Sequence, residues 1–83
     1  MTMPTLDLHG FKTADVEDAV DRFLAKHIAA GTARVRIMTG KGSGAVKKTV
    51  IDYLKLGKFP WIYEKVGAQK NTVNEGVLVV ILE

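Results

Sequence analysis

Apolar residues recur along the chain at two spacings, and each spacing predicts one type of secondary structure. Residues 6–10 and 34–39 alternate between apolar and polar side chains, which is typical of strands with one buried face. Two other segments carry apolar residues three or four positions apart, which predicts helices with one buried side. The first helix is predicted to start at Thr13, whose hydroxyl can cap it, and to end at Gly31. The second is predicted to run from Ala45 to about Gly57.

The last third of the chain predicts two more strands. Residues 59–66 are rich in aromatic and β-branched side chains, and residues 77–82 are apolar at every position. A strand without polar residues is covered on both faces, so we expect it in the interior of the sheet. The polar residues 67–76 are predicted to connect the two strands. The predicted fold is an α/β two-layer sandwich, β-α-β-α-β-β, with both helices on one face of a four-stranded sheet.

The connection between the first two strands decides which functional groups meet. A strand–helix–strand unit is right-handed and makes its strands parallel, so their carboxyl ends lie at the same edge of the sheet. This places Asp7, His9 and Gly10 beside the residues that follow the second strand. The helices are expected to cover four apolar residues of these strands: Leu6, Leu8, Val35 and Ile37.

The opposite face of the sheet is expected to be open to solvent. Alternation places four polar residues of the first two strands on it: Asp7, His9, Arg34 and Arg36. Trp61 and Tyr63 join them as surfaces for base stacking if Ile62 points to the helices. The alternative is that both rings pack in the core or in a dimer contact.

A glycine-rich stretch, Thr39-Gly40-Lys41-Gly42-Ser43-Gly44, joins the second strand to the second helix. Glycines let a ligand approach the backbone N–H groups, the helix that follows presents its positive end, and the lysine adds a full charge. Such a loop fits a phosphate group, and the alternative is a plain connection. It is not a P-loop, which needs glycine at the position of Val35, and its G-x-G-x-G spacing is not the dinucleotide fingerprint.

Charge is distributed unevenly along the chain. Residues 34–58 contain seven basic residues and one acidic residue, whereas the remainder contains five basic and eight acidic residues. A basic segment that includes the glycine loop favours a polyanion, with Lys47 and Lys48 as candidate phosphate contacts. The alternative is a solvated helix face.

Composition excludes several classes of protein. A chain of 83 residues is predicted to form one domain, residues 1–83. Without cysteine it can form neither a disulfide nor a thiolate zinc site. The sequence lacks an apolar run long enough for a membrane span, and its first residues do not resemble a signal peptide, so we expect a cytoplasmic location and no membrane contact.

Three residues near the predicted sheet edge carry side chains suited to acid–base chemistry or to binding a phosphate. Histidine titrates near neutral pH, which makes His9 the candidate acid or base, although a structural histidine bonded to a backbone carbonyl is the alternative. Asp7 is suited to orient it, to activate water or to bind a divalent metal, and Lys41 to hold the phosphate. His27, beside the apolar stripe of the first helix, is expected to be structural.

Three motifs in this order resemble the Smr (small MutS-related) domain: Leu-Asp-Leu-His-Gly at 6–10, Ile-Met-Thr-Gly-Lys-Gly at 37–42, and the apolar segment at 76–82. The resemblance covers essentially the whole chain. Residues 40–45 are especially similar to the Smr domain at the C-terminus of the second bacterial MutS-type family, so the chain is interpreted as an excised domain or a stand-alone relative. The resemblance implies a mixed sheet in the order 1-2-4-3.

The resemblance also implies nucleic-acid binding and, in many members, endonuclease activity on branched or structured DNA or on RNA. The implied settings are DNA repair or recombination and the ribosome, and a homodimer is a further expectation. Carried over by position, the family's Leu-Asp-Leu-His motif falls on residues 6–9 and its His-Gly-x-Gly motif on residues 39–42. The histidine of the second motif is Thr39 here, and threonine cannot replace it as an acid or base.

Three hypotheses follow. One is a nuclease with Asp7, His9 and Lys41 as catalytic residues. In that case RNA cleavage through the 2′-hydroxyl requires no cofactor, whereas DNA nicking would use Mg²⁺ or Mn²⁺. Another is a non-catalytic nucleic-acid adaptor. A protein-interaction module that uses the apolar sheet face is a third. The expected nucleic-acid contacts are Gly10, Arg34, Arg36, Thr39, Gly40, Gly42, Ser43, Gly44, Lys47, Lys48, Trp61 and Tyr63.

Overall fold

The computed structural model describes residues 3–40, 44–66 and 72–83. In these ranges the elements follow the predicted order: β1 (Thr5–Asp7), α1 (Thr13–Ala29), β2 (Arg34–Met38), α2 (Gly44–Leu56), β3 (Trp61–Val66) and β4 (Thr72–Ile81). Neither helix in the described part of the chain has the length and apolar character needed to cross a membrane.

The four strands form one mixed sheet in the order β1-β2-β4-β3. β1 runs parallel to β2, and β4 runs antiparallel to both of its neighbours, β2 and β3. The predicted order 1-2-4-3 and the predicted parallel pair are confirmed. β4 lies in the interior of the sheet, where its residues from Val77 to Val80 are all buried.

The core lies between the sheet and the two helices. The buried side chains of the sheet layer are Leu8, Val35, Ile37, Leu78 and Val80, and those of the helix layer are Val16, Val20, Leu24, Val46, Val50 and Leu54. Complete burial of a leucine or valine side chain contributes about 1.5 to 3 kcal/mol. Leu6 packs against this cluster, so the prediction for the four apolar residues of the first two strands is confirmed.

One predicted strand start and one predicted helix cap are wrong. β4 begins at Thr72 rather than at Val77, because its polar first residues pair through the backbone with the end of β3, and such pairing needs no apolar side chains. α1 begins at Thr13 itself, so that Lys12 occupies the capping position without a side-chain hydrogen bond. The threonine is therefore inside the first turn and not its cap.

The aromatic residues of β3 adopt the alternative arrangement, packing against the core, and do not reach the open face as base-stacking surfaces would. Trp61 is paired with Val80 and Tyr63 with Leu78, and both partners lie in the core. The two rings therefore pack on the helix side of the sheet, 5.2 Å apart in an edge-to-face arrangement. Ile62 points the opposite way and is 45% exposed. Because successive residues of a strand point to opposite faces, Trp61 and Tyr63 lie on the face opposite to Ile62.

A hydrogen bond joins the two helices. The hydroxyl of Tyr53 in α2 donates to Oδ1 of Asp21 in α1 at 2.5 Å. This hydrogen bond, together with partial burial of the phenol, raises the pKa of Tyr53 to about 12. The folded chain thus favours the neutral phenol.

Tyr53→Phe removes this link and is expected to lower the free energy of unfolding by about 1 kcal/mol at neutral pH. The pKa of Tyr53 is higher in the folded chain than in the unfolded chain, so the contribution is complete below pH 10.0, the ordinary pKa of tyrosine, and is lost as the pH rises through about 12. Urea unfolding of both proteins at neutral pH and above pH 11 measures the difference, with Tyr63→Phe as the control. A difference that stayed constant over this range would contradict the linkage.

Candidate functional site

The end of β1 is anchored in the core, while the residues that follow it are exposed. Leu8 is 1% exposed, and its N–H donates to the carbonyl of Met38 at 2.9 Å. The chain then turns, with the N–H of Phe11 donating to the Leu8 carbonyl at 3.0 Å and Gly10 at a φ of +79°. Glycine fits this position because other residues are strained at positive φ. His9 therefore occupies an exposed corner on a fixed turn.

Asp7 is attached to the same turn. Its Oδ1 accepts a hydrogen bond from the backbone N–H of His9 at 2.9 Å, an arrangement in which the side chain stabilises the turn. Both side chains are exposed. The carboxylate and the imidazole are thus presented together at the carboxyl end of β1.

The carboxyl end of β2 is fixed by a single carbonyl group. The N–H groups of Thr39 and Gly40 both donate to the carbonyl oxygen of Gly76 in β4, at 2.8 and 3.2 Å. Gly40 has a φ of +84°, and α2 begins at Gly44. Three residues of the predicted site, Lys41, Gly42 and Ser43, lie outside the described residues.

The two strand ends meet at a shallow depression of about 290 Å³. Its lining residues are Asp7, His9, Met38, Gly40, Asn74, Gly76 and Val77. Asp7 and His9 come from the first motif and Gly40 from the second, so residues more than thirty positions apart in the sequence share one surface. This is the arrangement that the parallel pairing of β1 and β2 predicts. The chemical roles of these residues remain predictions.

The arginines do not join this depression. Arg34 stands at the start of β2, at the opposite end of the strand from Gly40. Arg36 forms an ion pair with Glu64 on the open sheet face, with Nε 2.6 Å from Oε2 and Nη2 3.0 Å from Oε1. Its Nη1 also donates to the hydroxyl of Thr5 at 3.3 Å. The charge of Arg36 is therefore compensated within the domain.

The lysines of α2 differ in their surroundings. Nζ of Lys47 lies 5.5 Å from the centre of the Tyr63 ring, so the aromatic face stabilises the ammonium group near the start of the helix. Lys48 donates to Asp52 at 2.7 Å, one helical turn away. That hydrogen bond and the opposite charge raise the pKa of Lys48, and the hydrogen bond from Lys48 lowers the pKa of Asp52. Unlike Lys48, Lys47 forms no ion pair within the described part of the chain.

Thr39 is buried, contrary to its expected contact with nucleic acid. Its side chain is 2% exposed, and its hydroxyl faces the carbonyl oxygens of Gly40 and Gly76 at 3.4 and 3.5 Å. As with the rings of β3, alternation along the strand turns this side chain away from the open face. In this conformation Thr39 cannot touch a ligand in the depression.

Metal ligands are few in the described part of the chain. No group of three or more histidine, aspartate or glutamate side chains is close enough there to hold an ion. Asp7 and His9 supply one carboxylate and one imidazole, which fit poorly with the oxygen-rich shells that Mg²⁺ and Mn²⁺ prefer.

Two lining residues were not predicted. Asn74 and Gly76 were assigned to a connecting loop, but they belong to β4 and lie beside Asp7 and His9. The Oδ1 of Asn74 accepts a hydrogen bond from the N–H of Gly76 at 3.0 Å. The Asn-x-Gly sequence is typical of a turn stabilised by an asparagine side chain. This pattern is the sequence feature that could have indicated the local structure at Asn74 and Gly76.

Comparison with known proteins gives a consistent result. The Smr domain profile matches residues 6–83. The chain is 36% identical over 78 residues to "Endonuclease MutS2" of Carboxydothermus hydrogenoformans, covering 94% of this chain and 10% of that protein. It is 38% identical over 77 residues to "Endonuclease MutS2" of Ligilactobacillus salivarius, covering 93% and 10%. The chain thus spans about a tenth of the length of these relatives.

Solved structures share the fold. The crystal structure of the Smr domain of Thermus thermophilus MutS2 superposes with a TM-score of 0.81 at 26% identity, covering 98% of this chain and 99% of that chain. YdaL, a stand-alone small MutS-related protein from Escherichia coli, superposes with a TM-score of 0.72 at 19% identity, covering 95% and 63%.

The positive φ of Gly40 predicts that a residue with a Cβ at this position lowers the stability of the domain. A Cβ at Gly40 would meet no atom within 4 Å, so Gly40→Ala introduces backbone strain alone, and we expect a loss of about 1 to 2 kcal/mol in unfolding free energy. Gly44→Ala is the matched control, since Gly44 begins α2 without a positive φ and is equally uncrowded. Urea unfolding compares the two variants, and equal stabilities would contradict the prediction.

Proposed function

The chain belongs to the Smr domain family, and from this premise we propose that it binds nucleic acid and cleaves its phosphodiester bonds. The observation that carries the proposal is the depression at the carboxyl ends of β1 and β2, where Asp7 and His9 line the same surface as Gly40. Such a reaction needs a group that transfers a proton and a place that binds the phosphate. The exposed imidazole beside a carboxylate is suited to the first task, and the neighbouring backbone to the second.

RNA is the substrate whose cleavage by these residues would need the fewest further catalytic groups. In the proposed reaction the His9 imidazole takes the proton of the 2′-hydroxyl, the 2′-oxygen forms a bond to phosphorus, and the bond from phosphorus to the 5′-oxygen breaks. The leaving 5′-oxygen takes a proton from water. The products are a 2′,3′-cyclic phosphate and a 5′-hydroxyl, and the nucleophile comes from the substrate itself. Asp7 holds the turn that carries His9 through its hydrogen bond to the His9 N–H.

The positive charge for this reaction is assigned to the start of α2. Lys47 is half-buried against Tyr63, and the first N–H groups of a helix favour an anion. Lys41 remains the sequence-based candidate for direct contact with the scissile phosphate. Tyr63 acts in this proposal as a support for the Lys47 side chain.

A non-catalytic nucleic-acid adaptor is the second candidate. It is favoured by Thr39, which stands where the resemblance places a histidine and whose side chain is buried. A domain with one imidazole at the site keeps its cationic and backbone contacts to phosphate even if it cuts nothing. Salt-sensitive binding without cleavage would support this candidate.

His9→Ala is expected to lower the rate of RNA cleavage by about a hundredfold or more while nucleic-acid affinity stays nearly unchanged, because the proton acceptor is lost but the phosphate contacts remain. Cleavage of a labelled structured RNA, with and without EDTA, measures the rate and identifies the product ends.

His27→Ala is the matched control for this experiment. His27, the second histidine of the chain, lies in α1, where Nδ1 is 3.2 Å from the Thr32 hydroxyl and the ring packs against Phe23. Its loss is expected to leave the cleavage rate unchanged. Equal cleavage by wild type and His9→Ala would remove the nuclease hypothesis, and absence of cleavage by wild type would favour the adaptor.

Lys47→Ala is expected to weaken nucleic-acid binding and to reduce the slope of log Kd against log salt by about one, the effect of losing one phosphate contact. Lys55→Ala removes the same charge from the last turn of α2, at the other end of the helix, and serves as the control. Fluorescence anisotropy at several salt concentrations gives both slopes. The assignment of Lys47 fails if the two variants have the same affinity and slope.

A further inference from the structure

β4 contains a local break in its pairing with β3, and this break lies at the depression. Tyr63 pairs with Leu78, but the next residue of β3, Glu64, pairs with Asn74. Residues 75–77 of β4 therefore bulge away from β3, while Val77 remains paired with Met38 of β2. Bulges of this kind redirect side chains and are frequent beside functional sites.

Asn74 begins this bulge and organises it. Its Oδ1 accepts the N–H of Gly76 at 3.0 Å, and the carbonyl of Gly76 in turn receives the N–H groups of Thr39 and Gly40. The asparagine side chain thus supports the carbonyl that fixes the start of the glycine stretch.

The same hydrogen bond determines the orientation of the Asn74 amide. A backbone N–H can only donate, so the side-chain atom that faces Gly76 is the oxygen, and the NH₂ group points the other way. Within residues 3–40, 44–66 and 72–83, Nδ2 of Asn74 makes no hydrogen bond, and its side chain is half-buried against the depression. Among the described residues, the two N–H donors of Asn74 thus have no partner, and Asn74 lines the same surface as Asp7 and His9.

The charges around the depression explain why a neutral donor is useful there. Asp7 is an anion at the site, and the guanidinium of Arg36 is engaged by Glu64. A phosphate that approaches His9 thus meets a carboxylate. A fixed amide supplies hydrogen bonds to phosphate oxygen at the place where the carboxylate repels it.

We propose that Asn74 is a substrate-binding residue whose Nδ2 donates to a non-bridging phosphate oxygen of bound nucleic acid, while its Oδ1 stays on the N–H of Gly76. This inference rests on the proposed function, since it assigns the ligand of the same depression. Asparagine is suited to both tasks because its side chain carries an acceptor and a donor in one rigid plane.

Two substitutions at this position test the proposal. Asn74→Asp keeps an acceptor for the Gly76 N–H but replaces the donor with an anionic oxygen, and Asn74→Ser keeps a small acceptor without adding charge. Thr72→Asp is the control. Thr72 is exposed on the same strand, and its replacement adds the same charge outside the lining of the depression. The measurements are the Kd for a fluorescent RNA hairpin, at low and at physiological salt, and the thermal unfolding midpoint.

Both Asn74 variants are expected to bind about tenfold more weakly than wild type or worse, with nearly unchanged unfolding midpoints. Thr72→Asp is expected to change the Kd by about twofold at most at physiological salt, where a displaced charge is screened. This pattern supports a direct contact with the phosphate.

The other outcomes overturn it. Equal weakening by Asn74→Asp and Thr72→Asp, with Asn74→Ser like wild type, would show a general charge effect. Weakening that accompanies a fall in the unfolding midpoint would show a purely structural role. If wild type binds RNA in a salt-sensitive way but both Asn74 variants bind equally well, this inference alone fails. If wild type does not bind, the proposed function fails with it.

Discussion

The hydrogen bond from the Leu8 N–H to the Met38 carbonyl is the constraint on which the arrangement of the site depends. β1 has only three residues and lies at the edge of the sheet, so few backbone hydrogen bonds hold it. The burial of Leu8 in the core adds the apolar contribution that keeps this last contact closed. Because the backbone and a leucine fix the strand end, the side chains of Asp7 and His9 are not needed for packing and stay exposed.

Local patterns predicted most of the fold because they report burial directly. Alternation in β2 and helical spacing in α1 and α2 identified the elements, and the right-handed crossover gave the parallel pair. The order of all four strands came from the resemblance, since local spacing does not specify the partners of β3. The face of Trp61 and Tyr63 could not be derived either, because it depends on whether Ile62 points in or out, and an isolated aromatic strand fits both choices.

The site was predictable only where it follows from the strand ends. Asp7, His9 and Gly40 meet because two parallel strands end at the same edge. Asn74 belongs to a bulge, and the pairing that creates a bulge is set by residues distant in the sequence. The same limitation applies to charge. Arg36 adds to the basic segment when residues are counted along the chain, yet Glu64, 28 positions later, compensates it in the folded domain.

The burial of Thr39 bears on which nucleic acid the site can serve. In the described part of the chain one imidazole, His9, lines the depression. RNA carries its nucleophile in the 2′-hydroxyl, so under the proposed mechanism one proton acceptor is enough to start the reaction. DNA requires that a water molecule be activated as well as held in line, which calls for a further group or a metal. The endonucleases to which this chain is similar are about ten times its length. Under the proposed mechanism, the described residues at the strand ends therefore suffice to start the cleavage of RNA and do not suffice for DNA.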